Sequence, residues 1–525
     1  MPANSLKSEA STIAVPDAPM MAGVPHRERH RILVGMRWTV WLSVLAAPFS
    51  YGTTMMLARV GPEVIGTYGL LMVYVAAASS LLYMGGDSVT IKFVPSLPIE
   101  KRFSFLISYF LVVCAALVPW LVVATVWPSG LHYVFGKSVP PALQLLMIYL
   151  APIYIARTMI ISGLTAILDM RWAQSLNRVV TVGTFFLYGL LFLVFPRFLK
   201  ANYTTLVWGI YLGFAVITFV IGLKRLVRRE EWRCSWREIR FFLPKGFWKY
   251  TLALQQISAL GFFLYRMDML LVLNRGGLEV LGKYVAILTV GSIVFLANRL
   301  FCDTLLPALT NLMAAGNPKA ASEVFSTNLR MLFAIHLTVA CAVMFLMEPL
   351  VDLMGSNYSN EKALFKLLVI LYALGGPGGL GGTLLTAVGK QQLSVWIGAI
   401  QLAVYLGAFT LLWPRYGLLG AVIAIGGSSL VCQIALLAAA RLKGPLEFPY
   451  RRDYFWFVVL GSLAGCVAIG AGTPGFITGV LGCTVPIGAF LLLARYQRRE
   501  LVGLASCLFP GWKKKVNVIG EQVDG

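Results

Sequence analysis

Apolar runs of about 20 residues, each long enough to cross roughly 30 Å of hydrocarbon as a helix, follow one another along almost the whole chain. They lie at 38–58, 64–86, 104–127, 142–168, 172–195, 204–223, 251–273 and 280–303. Six more follow at 331–348, 363–388, 392–413, 417–440, 454–471 and 476–494. Short polar segments separate the runs, and every second one is rich in Lys and Arg. The pattern predicts an all-α integral membrane protein of about fourteen transmembrane helices. Residues 1–37 form a polar tail without a cleavable signal pattern, so the first span is expected to direct insertion.

Composition agrees, with 58% hydrophobic and 13% charged residues among the 525 and a mean hydropathy of +0.78. A soluble domain carries about a quarter charged residues. The net charge of +22 raises the question of nucleic acid, and its distribution answers it. With a cytoplasmic N-terminus, about 31 of the Lys and Arg fall on the inner side and about 6 on the outer, the bias that sets topology. Both termini are therefore expected in the cytoplasm, and no nucleic-acid partner is expected. The densest block is Lys224–Lys249. There Trp232, Trp236 and Ile239 recur at helical spacing, which predicts a segment lying on the membrane surface. The tail Trp512-Lys513-Lys514-Lys515 reads as a further surface anchor. The eight cysteines form no Cys-x-x-Cys pair, so neither a disulfide framework nor a metal site is expected.

An internal repeat organises the spans. Residues 58–70 (ARVGPEVIGTYGL) and 274–286 (NRGGLEVLGKYVA) agree at an offset of 216 in Arg59/Arg275, Gly61/Gly277, Glu63/Glu279, Val64/Val280, Gly66/Gly282 and Tyr68/Tyr284. Asp87 and Asp303 share that offset, and VFPRF at 194–198 resembles LWPRY at 412–416. Six spans per repeat is an even number, so the halves enter the membrane from the same side, and a substrate path is expected between them. The expected layout is an N-lobe at 38–223, a basic linker at 224–250 and a C-lobe at 251–440. Two extra spans at 441–494 and a basic tail at 495–525 complete it.

Ionisable residues within spans carry the candidate chemistry. These are Arg157, Arg178, Arg266, Asp268, Arg299, Asp303, His336 and Lys366, with Arg59 and Lys283 at span ends. A central Arg or Asp costs about 2.5–3.5 kcal/mol on insertion scales, so such groups should face a hydrated cavity or one another. Arg299 and Asp303 are four apart and can pair on one helix face. Arg266 and Asp268 are about 200° apart around a helix and cannot share a face. Arg59 and Lys366 can snorkel to the interface. His336 reads either as a proton carrier or as a hydrogen-bonded structural group. The run Gly375–Gly382 contains G-x-G-x-x-G, but no strand precedes it. Within a span, with Pro377, it predicts a broken or bending helix.

The stretch Leu57-Ala58-Arg59-Val60-Gly61-Pro62-Glu63-Val64-Ile65-Gly66-Thr67-Tyr68 carries a family resemblance. So do Leu243-Pro244, Arg266-x-Asp268, Gly282-Lys283-Tyr284, Leu384–Lys390 and Pro414–Ala421. Over about residues 38–440 the chain resembles the polysaccharide-biosynthesis branch of the multidrug/oligosaccharidyl-lipid/polysaccharide exporters, the O-antigen and exopolysaccharide flippases. Lys283 and Val285 make its second repeat less regular. The resemblance implies two MATE-like six-helix lobes that alternate access around a cationic cavity in the bacterial cytoplasmic (inner) membrane. The implied substrate is a lipid-linked oligosaccharide carried on polyprenyl phosphate, with membrane lipids, a polysaccharide polymerase and glycosyltransferases as partners. On this reading Arg59, Arg157, Arg178, Arg266, Asp268, Arg299 and Asp303 line the cavity. Asp268, Asp303 and His336 are the candidates for coupling to a proton or sodium gradient, and no cofactor is expected. A cationic cavity suits this substrate, because Arg can replace the hydration of a phosphate with bidentate charge-assisted bonds. The competing readings are a lipid II flippase, an ion-coupled drug exporter with a carboxylate-dominated cavity, and a membrane polymerase or ligase. The last needs an external catalytic platform, and the outer loops are too short to supply one.

Overall fold

The computed structural model describes residues 26–126, 141–232, 240–295 and 317–443, with scattered helical positions between 298 and 313. Its described residues are helical throughout apart from turns and connections. Nine helical stretches among them are long and apolar enough to cross a membrane. The expected spans from 38–58 to 417–440 fall largely on helical stretches where their residues are described, and the two at 454–471 and 476–494 lie outside the described residues.

The first half contains α1 (His26–Val60), α2 (Pro62–Ala77), α3 (Asp87–Ser96), α4 (Ile99–Val126), α5 (Pro141–Ala166), α6 (Met170–Val194), the short α7 (Pro196–Ala201) and α8 (Tyr203–Val227). Within it α1 packs on α6, and α5 packs on α3 and α8. The second half contains α9 (Phe247–Ser292), α10 (Pro318–Phe345), the short α11 (Met347–Met354), α12 (Lys362–Gly375), α13 (Gly379–Ala387), α14 (Gln391–Tyr416) and α15 (Leu418–Lys443). There α15 receives α12, α13 and α14, and α9 packs on α12. Outward faces stay apolar: Phe186 and Leu193 of α6 are 60% and 79% exposed, as suits side chains that meet lipid.

Breaks fall where the sequence supplies glycine or proline. The stretch α9 is two helices that meet at Gly277, where φ 77° and ψ −174° break the helical backbone at a position open to glycine at little cost, so each part serves one expected span. The run Gly375–Gly382 is the expected broken helix: α12 ends at Gly375, a tight turn spans Gly376–Gly378, and α13 continues. Its glycines also let backbones meet, with Gly378 against Gln433 and Gly381 against the Leu436 carbonyl of α15. Helix α2 runs on into a π turn, Ala78–Leu82, before the chain reverses through Gly85 and Gly86 at φ 75° and 64°.

One expectation needs correction. The Trp232 side chain does not face lipid; it is 2% exposed, with its ring against Gly163 of α5. Helical spacing of tryptophans cannot distinguish a face turned to lipid from one turned to protein. Trp236 and Ile239 lie outside the described residues.

Candidate functional site

The two halves meet chiefly where α2 lies along α9, and the sequence repeat is the contact itself. A Cβ built on Gly66 would overlap the Leu278 carbonyl, and one on Gly282 would overlap the Pro62 carbonyl. Pro62 and Leu278 stand at the same 216 offset as Gly66 and Gly282, so the contact is reciprocal, as a two-fold related interface must be. Only residues without a Cβ allow the backbones to approach this closely. Polar groups brace the same end of the bundle. Lys283 Nζ lies 3.2 Å from Glu361 and 3.6 Å from Glu279, and the Tyr203 hydroxyl donates to Glu63 at 3.4 Å.

The opposite end is held differently. Gln255 of α9 donates to the Ser80 and Leu81 carbonyls at 3.0 and 2.9 Å and accepts from the Gly85 amide at 2.9 Å. A π turn shifts the hydrogen-bond register, and these contacts satisfy main-chain groups at and just beyond it. Tyr109 donates to the Met84 and Gly86 carbonyls, and the Ser162 hydroxyl donates to Asp87. The start of α9 docks on the first half, with Phe247 among Phe93, Phe105 and Tyr109 and Lys92 3.5 Å above the Tyr250 ring. None of the contacts at this second end was singled out from sequence. Asp87 was visible only as the repeat partner of Asp303, and the adjoining Gly85-Gly86 pair was the available signal for a turn.

The predicted charges fall into separate environments. Arg157 is buried inside the first half, donating to Thr218 Oγ1 at 2.9 Å, Asn177 Oδ1 at 3.1 Å and the Leu176 carbonyl at 3.2 Å. Arg178 is half-buried on α6, and Arg59 is exposed at the end of α1. Arg266 and Asp268 face different surroundings, as two residues of one helix two positions apart must. Asp268 is buried and accepts from the Tyr284 hydroxyl at 2.8 Å, while its second carboxylate oxygen has no partner among the described residues. Arg266 is half-buried, makes no ion pair or hydrogen bond among the described residues, and acts electrostatically on Tyr68 of α2 and on Asp268. His336 is fully buried in α10, edge-on to Phe295 and packed on Gly376, with both ring nitrogens unpartnered among the described residues. Arg299 and Asp303 lie outside the described residues. No cluster among the described residues has the make-up of a metal site.

Two helical halves joined face to face by a repeated glycine contact, with broken helices at membrane depth, define a MATE-like membrane fold. Among solved structures the chain is similar to "Lipid II flippase MurJ, inward closed conformation", at 14% identity and TM-score 0.63, over 88% of this chain and 99% of that one. It is similar too to an inward-facing multidrug resistance MATE family transporter of the MOP superfamily, at 13% identity and TM-score 0.57, over 87% and 98% of the two chains. A MATE in complex with MaL6 aligns over 81% and 96%, at 14% identity and TM-score 0.56. No protein-family model and no curated protein sequence matches the chain. At these identities the likeness establishes a shared fold.

Proposed function

We propose that this protein is a flippase for lipid-linked oligosaccharides, a transporter and not an enzyme, working by alternating access in a bacterial cytoplasmic membrane with both termini inside. The observation that carries the reading is Arg266. It is a cation at membrane depth, on the helix that joins the halves, with no anion paired to it among the described residues. Holding such a charge in a bundle is costly unless water or a ligand compensates it, and a polyprenyl-linked phosphate is a ligand that does so. The fold is shared with a structure described as a lipid II flippase, which supports a lipid-linked substrate. The family resemblance of the motifs at 57–68 and 384–390 favours an oligosaccharide for polysaccharide assembly, delivered by glycosyltransferases and consumed by a polymerase.

In this reading 38–223 and 251–440 are the moving bodies, and the Gly66/Gly282 contact closes the outer end. Asp268, one of whose carboxylate oxygens has no hydrogen-bond partner among the described residues, is the group that takes up a driving proton or sodium ion. Purified protein in proteoliposomes, given a fluorescent polyprenyl-diphosphate oligosaccharide, should move it between leaflets, and Arg266→Ala should abolish the movement at normal abundance. Efflux of organic cations with no lipid-linked transport would replace this reading with drug export.

A further inference from the structure

At the end of the bundle where Gln255 meets the π turn, α5 ends, α6 begins and α8 ends. Basic residues of α6 and α8 gather there at one corner of the first half. Asp169, in the turn between α5 and α6, accepts from Arg225 Nε at 3.2 Å and from Arg229 Nε at 2.9 Å. Beyond Arg229 the chain turns at Glu230–Trp232 and buries the Trp232 ring against α5, which fixes the end of α8. These two arginines are therefore held in place, and further charge lies outside them. Arg171, Lys224 and Arg228 are exposed and make no ion pair among the described residues. With Arg225 and Arg229 they set five cations against Asp169, Glu230 and Glu231.

Two tryptophans organise the corner. The Arg225 guanidinium lies 5.0 Å from the centre of the Trp172 ring, and that of Arg171 lies 5.0 Å from the Trp38 ring of α1. A guanidinium stacked on an indole keeps its N–H edge free for an oxyanion. Both rings are exposed, at the foot of faces that meet lipid. Along α6 the exposed Val179, Phe186 and Leu190 lie within about 40° of Trp172. Along α8 the exposed Ile217 and Val220 lie within about 40° of Lys224, and Arg228 follows about 40° further on. Each lipid-facing stripe thus ends in an aromatic or cationic side chain.

We propose that this corner binds an anionic phospholipid of the inner leaflet, its phosphate among the cations around Trp172 and its acyl chains along α6 and α8. Three observations choose the occupant. The surplus charge is positive, so the ligand is an anion. The stripes continue the site into the acyl region, which a soluble phosphate or a nucleic acid cannot fill. Arg266, the proposed contact for the carried lipid, stands about 28 Å along α9 from the helix start that docks at this end, so the two lipids are held apart. Both α6 and α8 pack on elements of the first half. A lipid bound here anchors that half while the second moves against it, and the site does not depend on what the protein carries.

Native mass spectrometry reads the site in the full-length protein, released from micelles holding equal phosphatidylglycerol and phosphatidylcholine of matched acyl chains. The wild type should retain phosphatidylglycerol at least about fivefold over phosphatidylcholine. Arg171→Gln, Lys224→Gln and Arg228→Gln together should remove most of that preference at an unchanged thermal midpoint, because all three side chains are exposed. Lys101→Gln, Lys245→Gln and Lys249→Gln together remove as much charge from exposed positions at the same end and should leave the preference intact. Trp172→Leu keeps every charge and should lower it at least about twofold, since Arg225 loses the ring it stacks on. Equal loss in the two triple variants would make the preference a general effect of basic charge and overturn the proposal. Displacement of the lipid by millimolar glycerol 3-phosphate would make the corner a soluble-anion site and overturn it too. So would an unchanged preference in both the Arg171/Lys224/Arg228 variant and Trp172→Leu.

Discussion

The two halves share a backbone plan and differ in what they do with charge. At the offset that superposes Gly66 on Gly282, Arg266 and Asp268 of the second half correspond to Ser50 and Gly52 of the first. The first half keeps its deep cation, Arg157, off the interface and gives it three acceptors from α6 and α8. The second half places Arg266 on the interface helix with no ion pair or hydrogen bond among the described residues. On the proposed reading the same residue type serves two purposes: an arginine with three acceptors cross-links helices, and one with no bond among the described residues is available to a ligand. An architecture that repeats itself in packing need not repeat its chemistry, and on the proposed reading the departures from the repeat mark the working surface.

The largest effect should come from Arg157→Ala. Removing the guanidinium leaves Thr218, Asn177 and the Leu176 carbonyl without their donor, at about 1–3 kcal/mol for each buried acceptor that finds no substitute. Abundance and thermal stability in detergent should fall together, and transport with them. Arg266→Ala should do the reverse. Its thermal midpoint should stay near wild type, while flipping falls at least tenfold, the loss expected for a charge-assisted phosphate contact of about 1.5–3 kcal/mol. Arg266→Lys should recover part of it. If Arg266→Ala unfolds the protein and Arg157→Ala does not, the contrast between the halves is wrong.

The glycine contact comes next. Gly282→Ala puts a methyl group onto the Pro62 carbonyl, and the backbones must separate. The closed arrangement of α2 and α9 loses population, and the chain still folds. A cysteine introduced at Gly61 should then react several-fold faster with an impermeant thiol reagent from outside, and Gly66→Ala should act alike because the contact is reciprocal. Unchanged labelling in both would show that this end does not gate.

How much of this was legible beforehand depended on whether a feature leaves a local pattern. Span positions did, because hydropathy over about 20 residues is a direct readout of membrane thickness. The break at Gly375–Gly382 did as well, through its proline and glycines. The repeat told which residues correspond, though not that Gly66 and Gly282 pack on the carbonyls of Leu278 and Pro62. The bonded state of Arg157 was not legible, since Thr218 and Asn177 are separated from it by 61 and 20 residues. The Gln255 contact was hidden for a different reason: a π turn has no composition of its own, and Ala78–Leu82 reads as ordinary apolar helix. Trp232 was misread because a periodic aromatic face says only that something apolar covers it.

Asp268→Asn should give the smallest effect on the protein and the most selective one on its work. The amide keeps an oxygen for the Tyr284 hydroxyl, now 2.8 Å away, and nearly the same volume, so packing around α9 is preserved. What it loses is the ability to carry a negative charge and so to take up a cation on the open side of the group. A carboxylate that couples transport to a gradient must alternate between charged and compensated states, whereas a structural hydrogen-bond acceptor need not. Downhill equilibration of a lipid-linked substrate between leaflets should therefore survive in Asp268→Asn proteoliposomes. Accumulation driven by an imposed proton or sodium gradient should disappear. Loss of both would make Asp268 a part of the substrate site, and retention of both would reduce it to an internal partner for Tyr284. The same pair of assays on Arg266→Ala should show both modes lost, because a cation that binds the phosphate is needed in either direction.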